Sequence, residues 1–223
     1  MTATDFDYIT AVFLHYLQPI ADLCERMLDQ CSGEPNEVQT SARENGYALS
    51  IISLTAFFFE GACGRARYFN GLAAVGIPAL ANQKGWRWTA ADTLCEFNEI
   101  DLAERIEDIF VVRHAIAHAH LWKATVDEID LRFTERPTRL PGYGDKNFDK
   151  VVDPVSRTTR LLGLDVFPPR IHAGTAITVL KECVEALESL ESKHKEFFLP
   201  LVHQQIRFRS KFVRFYKWVR ELP

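Results

Sequence analysis

The sequence lacks the features that mark secreted, membrane-spanning and disulfide-stabilised proteins. Its five cysteines include no C-x-x-C pair, and their odd number and wide scatter favour reduced thiols. The N-terminus is acidic and has no basic-then-apolar leader pattern. The most apolar run, Ala48–Phe59, has 12 residues, whereas a membrane span needs about 20. These absences predict a cytoplasmic protein without a membrane partner.

The chain also lacks internal repeats, low-complexity tracts and an excess of basic residues. Its net charge of −4 argues against a surface that coats nucleic acid nonspecifically, but a local basic cleft is still compatible with it. The composition is that of an ordinary globular protein, with 223 residues, 47% apolar and 25% charged. We therefore expect one large domain, or one domain with an appendage.

The first part of the chain has the three-and-four spacing of apolar residues that predicts amphipathic helices. One helix is predicted over Phe6–Gln30, with a bend at Pro19, and Ser32–Asn36 ends it. A second is predicted from about Val38 to Tyr68. Its middle, Tyr47–Phe59, is apolar nearly all round, which predicts burial on most sides or contact with a partner chain.

An acidic helix is predicted after a loop at Asn70–Trp88, which contains glycine and proline breakers. Thr89–Asp92 offers an N-cap for a third helix from Thr93. Between Asp92 and Asp108 there are seven acidic residues and one basic residue, which predicts a solvated acidic face. This helix is expected to continue into the stretch Val111–His120.

The pattern changes after that stretch. Leu121–Pro169 alternates in places and contains several prolines and glycines, which predicts a strand-and-loop insertion with a hairpin. Helical spacing returns over Ala173–Phe198, until Pro200 stops it. The tail, Leu201–Pro223, carries six Lys/Arg and one Glu among five aromatic residues. A nucleic-acid surface would explain this mixture, but we favour aromatic packing on the bundle with the basic groups in water.

The densest group of ionisable residues lies in Val111–His120, which reads VVRHAIAHAH. It contains Arg113 and three of the seven histidines of the chain, His114, His118 and His120. Small residues between them leave room for the polar groups to project. We therefore treat this stretch as the candidate functional centre.

Four kinds of role are open to these residues. His114 and His118 share a helix face and could bind zinc, but no carboxylate follows His114 and no third ligand is evident. A serine or cysteine activated by a histidine would meet it in space, and nothing in the sequence marks such a serine. The histidines could also have purely structural hydrogen bonds. We expect neither a metal nor a cofactor.

The fourth role is RNA cleavage, in which the 2′-hydroxyl of the substrate is the nucleophile. The protein must then supply a base, an acid and a fixed positive charge for the transition state. Histidine titrates near neutrality and can be the base or the acid. Arginine keeps its charge and can bind two phosphate oxygens at once. Arg113 and His118 provide both residue types, so this role is favoured.

The segment Arg113–His118, RHAIAH, resembles the R-x4-H signature of HEPN domains, helical modules common in prokaryotic toxin–antitoxin and antiviral systems. The resemblance implies a bundle of four or five helices with the motif near a late helix. It also implies a homodimer that brings two Arg/His sets into one cleft and cuts RNA without metal. Arg113 would stabilise the phosphate and His118 would be the acid or base. His114 stands where the family often has Asn and would orient the site.

Glu60 and His120 are the further candidates. Glu60 ends the apolar stretch and would be costly to bury unpaired, so we expect a cationic partner, with Arg113 the candidate. It resembles the acidic residue that many HEPN members place on an earlier helix; a surface position is the alternative. On a continuous helix His120 shares a face with Arg113, whereas His118 is roughly 140° away. Either the helix loosens near Ala117, or two sets combine across a dimer.

The sequence thus predicts a mainly α protein with a HEPN-like bundle over residues 1–200, a β-hairpin insertion at about 121–169 and a basic aromatic appendage at 201–223. The favoured function is a metal-independent endoribonuclease, with a non-catalytic HEPN-like module that binds nucleotide, RNA or a partner as the alternative. The expected partners are RNA, a second copy of the chain and an antitoxin or regulator. The candidate catalytic residues are Arg113, His118, His114, Glu60 and His120.

Overall fold

A computed structural model describes residues 11–30, 39–75, 89–118, 122–127, 138–140 and 146–223. These residues form seven α-helices and two short antiparallel strand pairs. The mainly α class predicted from the sequence is confirmed.

The helices are α1 (Leu17–Gln30), α2 (Ala42–Val75), α3 (Thr89–Glu96), α4 (Ile100–Ala117), α5 (Lys146–Val151), α6 (Ala173–Lys193) and α7 (Phe215–Arg220). The strand pairs are β1 (Trp122–Lys123) with β2 (Thr138–Arg139), and β3 (Gln205–Phe208) with β4 (Lys211–Arg214). Short 3₁₀ helices lie at Val12–Tyr16, Pro168–Arg170 and Leu201–His203.

Helix α2 is the central element and packs against α1, α3, α4 and α6. Its middle is buried on most sides, as its sequence predicts: Ile51, Ile52, Phe58 and Phe59 are fully buried. The burial is not complete, because Phe57 is 39% exposed and Ser50 is also exposed. These four helices bury their apolar faces against α2, while α5 packs on α4 and α7 on α6, and the buried residues form one core.

By length and composition, α2 could cross a membrane over Ala42–Gly71. The 12-residue run counted from the sequence underestimates the apolar length of α2, because Gly46 and Tyr47 precede the run and only Glu60 separates it from Gly61, Ala62 and Cys63. Half of the most apolar window is buried inside the fold, and the core helix of a soluble protein passes the same test. A central core position thus accounts for the composition of α2.

The N-terminal segment enters the bundle through the 3₁₀ helix at Val12–Tyr16, which α1 follows directly. Pro19 is the third residue of α1. An N–H in the first turn of a helix has no partner within the helix, so proline is tolerated there. Pro19 therefore lies at the start of α1 and not at a bend inside a longer helix. The predicted start at Phe6 and the segment Ser32–Asn36 lie outside the described residues.

The predicted third helix is two helices, because the chain breaks after Glu96. Asn98 has a φ of 61°, and the Glu99 and Asn98 amides donate to the Leu94 and Cys95 carbonyls at 2.8 and 3.0 Å. This is the Schellman arrangement of a helix C-terminus, and asparagine tolerates its left-handed position better than most residues. A new helix, α4, starts at Ile100 and carries the candidate motif.

The loop predicted from Asn70 is also shorter than expected. Helix α2 continues through Gly71 to Val75, and α3 begins at Thr89 rather than at Thr93. One glycine in a helix costs about 1 kcal/mol, which the helix-forming residues after it can offset. The rest of the predicted loop, residues 76–88, lies outside the described part of the chain.

The insertion contains the predicted antiparallel strand pair, β1–β2, and also the short helix α5, which the sequence did not predict. The apolar stripe predicted on α6 is buried as expected. However, α6 ends at Lys193 and not at Phe198. His194 leaves the helical conformation, and its ring lies 4.6 Å from that of Phe97.

The C-terminal residues form a hairpin and a helix. The strand predicted over Ile206–Phe212 reverses at Arg209 and Ser210, which gives β3 and β4, and α7 follows. The Phe215 ring lies 5.6 Å from Phe58 of α2 in an edge-to-face contact. The segment expected as an appendage therefore contributes side chains to the core of the bundle.

Candidate functional site

The motif lies at the C-terminal end of α4. Val111, Val112 and Ala115 are buried and fix this end of the helix in the core. The helix ends at Ala117, and the His118 amide donates to the His114 carbonyl at 3.0 Å as the last cap. The helix thus ends near the residue where loosening was predicted, but His118 still donates the helical hydrogen bond to the residue four positions earlier.

The structure brings His114 and His118 together. Their ring centroids lie 4.3 Å apart with an interplanar angle of 39°. His118 is exposed at the helix end, whereas His114 is partly buried. The two imidazoles thus form an adjacent pair that is open to solvent on the His118 side.

Arg113 lies against an aromatic side chain of α2. Its Cζ is 5.1 Å from the centroid of the Phe57 ring, within the range of a cation–π contact. Its Nε is shielded from solvent and has no hydrogen-bond partner among the described residues. No described carboxylate forms an ion pair with it either. The guanidinium is therefore held by a cation–π contact, and no carboxylate among the described residues neutralises its charge.

The ion pair expected between Glu60 and Arg113 is absent. Within the described residues, Glu60 has neither a hydrogen bond nor an ion pair, and its side chain is partly exposed. Phe57, one turn earlier on α2, makes the contact with Arg113 instead. Water can solvate the Glu60 carboxylate, so the burial cost that required a cationic partner does not arise. The alternative of a surface carboxylate describes Glu60 correctly.

Two further predictions from the sequence concern His120 and metal binding. His120 lies outside the described part of the chain. Over the described ranges, no group of three or more His, Cys, Asp or Glu side chains could hold a metal ion. Among the described residues, no third His, Cys, Asp or Glu side chain therefore lies where it could bind a metal ion together with His114 and His118.

An apolar hollow of about 520 Å³ lies beside the motif, between α1, α2 and α4. Ile116, three residues after Arg113, is part of its lining. Ser50 and Ser53 make its lining partly polar. The described lining residues are Leu23, Leu49, Ser50, Ser53, Leu54 and Ile116.

A second cavity, of about 560 Å³, lies in the insertion and was not predicted. Its lining includes the aromatic side chains of Trp122 and Phe148 and the arginines Arg139, Arg157 and Arg160. The Cζ of Arg139 is 4.0 Å from the centroid of the Phe148 ring. These residues are spread over almost forty positions, so no local pattern in the sequence could have shown that they meet.

Asp108 joins the insertion to the motif helix. Its carboxylate accepts hydrogen bonds from the Leu161 and Leu162 amides at 2.9 and 2.8 Å, and it is almost completely buried. Burial raises the pKa of the Asp108 carboxyl, although the hydrogen bonds from Leu162, Thr159 and Leu161 oppose this shift. The predicted acidic face of α4 thus includes one carboxylate that is structural and not solvated.

The sequence matches no protein-family model, and comparisons with curated proteins and with solved structures return no match.

Proposed function

We propose that this protein is a metal-independent, HEPN-type endoribonuclease whose centre is Arg113 and His118. The observation that carries the proposal is the Arg113 guanidinium, which has no acidic partner among the described residues and lies on the same helix end as the adjacent pair His114 and His118. A phosphate is the natural counter-ion for such a guanidinium. The R-x4-H resemblance supports the same chemistry.

In the proposed reaction the 2′-oxygen of a ribose attacks the adjacent phosphorus, and the bond to the 5′-oxygen breaks. The products are a 2′,3′-cyclic phosphate and a 5′-hydroxyl. A histidine takes the 2′-proton and another group returns a proton to the 5′-oxygen. His118 is proposed for one of these roles, and Arg113 for stabilising the negative charge that gathers on the phosphate. His114, 4.3 Å from His118, orients it.

A second copy of the chain is proposed to supply the remaining catalytic groups. The apolar hollow beside the motif supports this, because a partner packed on Leu54 and Ile116 would bring the two motifs close together. Sedimentation of the protein as a monomer at every concentration that supports cleavage would contradict the dimer. We propose that the protein acts in the cytoplasm in defence or stress, and that an antitoxin or regulator controls it.

The reaction is tested with two matched RNA oligonucleotides in excess EDTA. One is all-ribose, and the other carries a single 2′-deoxy substitution at a mapped cleavage position. We expect cleavage of the first, with a 2′,3′-cyclic phosphate end, and loss of that one cut in the second. Cuts that persist at the substituted position, or that need added metal, would refute the proposal. RNA binding without turnover would instead favour the non-catalytic module.

A further inference from the structure

The six basic residues of the C-terminal segment divide into two groups of three. Arg209 pairs with Asp29 of α1 at 3.4 Å, Lys217 pairs with Glu221 at 3.7 Å, and Arg220 pairs with Glu188 of α6. These three cations have partners within the fold.

The other three cations are Arg207, Lys211 and Arg214. None has an acidic partner among the described residues, and all three side chains are exposed. All three also belong to the β3–β4 hairpin. The basic residues of the segment that have no acidic partner among the described residues are therefore all on the β3–β4 hairpin.

The aromatic residues of the segment divide in a similar way. Phe215, Tyr216 and Trp218 are buried, whereas Phe212 is 76% exposed. The strand register places Phe212 directly opposite Arg207, and Gln205 opposite Arg214. Since alternate residues of a strand share a face, the outer face of the hairpin presents Arg207, Phe212 and Arg214 together.

The hairpin is held firmly on α1. The Gln18 side chain accepts a hydrogen bond from the Arg207 amide and donates one to the Arg207 carbonyl, each at 2.8 Å. Glu25 accepts from the Arg209 amide at 2.8 Å. These bonds support a turn in which Arg209 and Ser210 have φ values of 46° and 64°, an uncommon conformation for residues other than glycine. The exposed face is thus presented by a fixed backbone.

The hairpin is connected to the candidate centre by a short series of contacts. Gln18, which binds Arg207, lies two residues after Tyr16. The Tyr16 ring is 6.3 Å from Phe57, and Phe57 is the residue in contact with Arg113. The hairpin therefore rests on α1 and the motif on α2, two helices that pack against each other.

We propose that the outer face of the β3–β4 hairpin binds single-stranded RNA, with a base stacked on Phe212 and phosphates on Arg207 and Arg214. An exposed aromatic ring between unpaired cations fits a polyanion that also carries flat rings, whereas an acidic peptide would need only the charges. The choice of RNA rests on the proposed function. The hairpin extends it by assigning a substrate-binding surface outside the motif.

The test measures RNA binding in the full-length His118→Ala protein, so that cleavage does not interfere. A fluorescently labelled single-stranded oligo(U) is titrated and its anisotropy is followed at several salt concentrations. Phe212→Ala is expected to weaken binding about 5- to 150-fold, the range of one stacked base. The double variant Arg207→Gln/Arg214→Gln is expected to reduce the slope of log K against log salt by about 1.4.

Matched controls use residues of the same segment. Lys217→Gln and Arg220→Gln remove paired cations and are expected to leave the affinity unchanged within about twofold, and Phe212→Trp is expected to retain it. No binding of RNA by the parent protein, or equal affinities for Phe212→Ala and the parent, would overturn the proposal, as would binding of an acidic peptide in place of RNA. Weaker binding by the hairpin variants would sustain it even if the protein proved not to cut RNA.

Discussion

Gly61 and Gly64 lie almost one turn apart on α2 but have different surroundings. A Cβ built on Gly61 would lie 2.7 Å from the Cβ of Phe13, whereas nothing lies within 4 Å of one built on Gly64. Gly61 therefore allows the 3₁₀ helix at Val12–Tyr16 to approach α2 closely. Gly64 has no such role.

We expect opposite effects when each glycine is changed to alanine. Gly61→Ala should lower the free energy of unfolding by about 1 to 3 kcal/mol, because backbone or Phe13 must move. Gly64→Ala should raise it by about 0.5 to 1 kcal/mol, because alanine is the better helix former. Urea denaturation of both variants measures the difference. Equal effects would show that the contact with Phe13 does not constrain α2.

Buried thiols are the other residue-scale feature that the structure defines. Burial raises the pKa of Cys24 to about 12, and it also raises the pKa values of Cys63 and Cys183 well above the ordinary value for a thiol, so these thiols are not nucleophiles at neutral pH. The four cysteines within the described residues are free thiols. The scatter of cysteines in the sequence predicted reduced thiols, and these four fit that prediction.

At the scale of elements, hydrogen bonds to the Asp108 carboxylate connect α4 to the insertion. We expect Asp108→Ala to lower the free energy of unfolding by about 2 kcal/mol, because the Leu161 and Leu162 amides lose their acceptor. Asp108→Asn keeps one acceptor oxygen and should cost less. Chemical denaturation of the three proteins at pH 7 provides the measurement, and an equal loss in both variants would contradict this role.

The pKa of Asp108 also predicts a dependence on pH. Because its folded pKa lies above the ordinary value of 3.8, the folded state binds more protons than the unfolded state just above that pH. The contribution of Asp108 to stability is therefore largest at low pH and declines as the pH rises through the folded pKa. The stability of the parent relative to Asp108→Asn should increase as the pH falls from 7 toward 4. A relative loss over this range would contradict the raised pKa.

Strong periodic patterns in the sequence predicted the elements well where one face of a helix meets the core. The buried stripe on α6 and the buried residues in the middle of α2 follow directly from the apolar spacing. Helix ends were predicted less well, because single residues decide them. Asn98 adopts a left-handed conformation just after α3 and so ends the helix. Because the acidic residues on both sides of Asn98 were taken together as one helix, Asn98 was not recognised as a helix end.

At the scale of the whole molecule, the sequence predicted the part of the candidate site that lies within α4. His114 and His118 are neighbours because residues four apart share a helix face. The contact with Phe57 and the absence of an ion pair with Glu60 depend on how α4 crosses α2, which no local pattern encodes. The same limit applies to the C-terminal segment, where Arg209 and Arg220 pair with acidic residues of α1 and α6 that are distant in the sequence.

The most direct test of a centre formed by Arg113 and His118 is single-turnover cleavage of single-stranded RNA in excess EDTA. Arg113→Ala and His118→Ala are compared with the parent and with Arg43→Ala and His203→Ala, which remove exposed side chains of the same types elsewhere. We expect a loss of about 10²- to 10⁴-fold in the first pair, with unchanged thermal unfolding, and full activity in the controls. Equal rates in all five proteins would contradict the assignment.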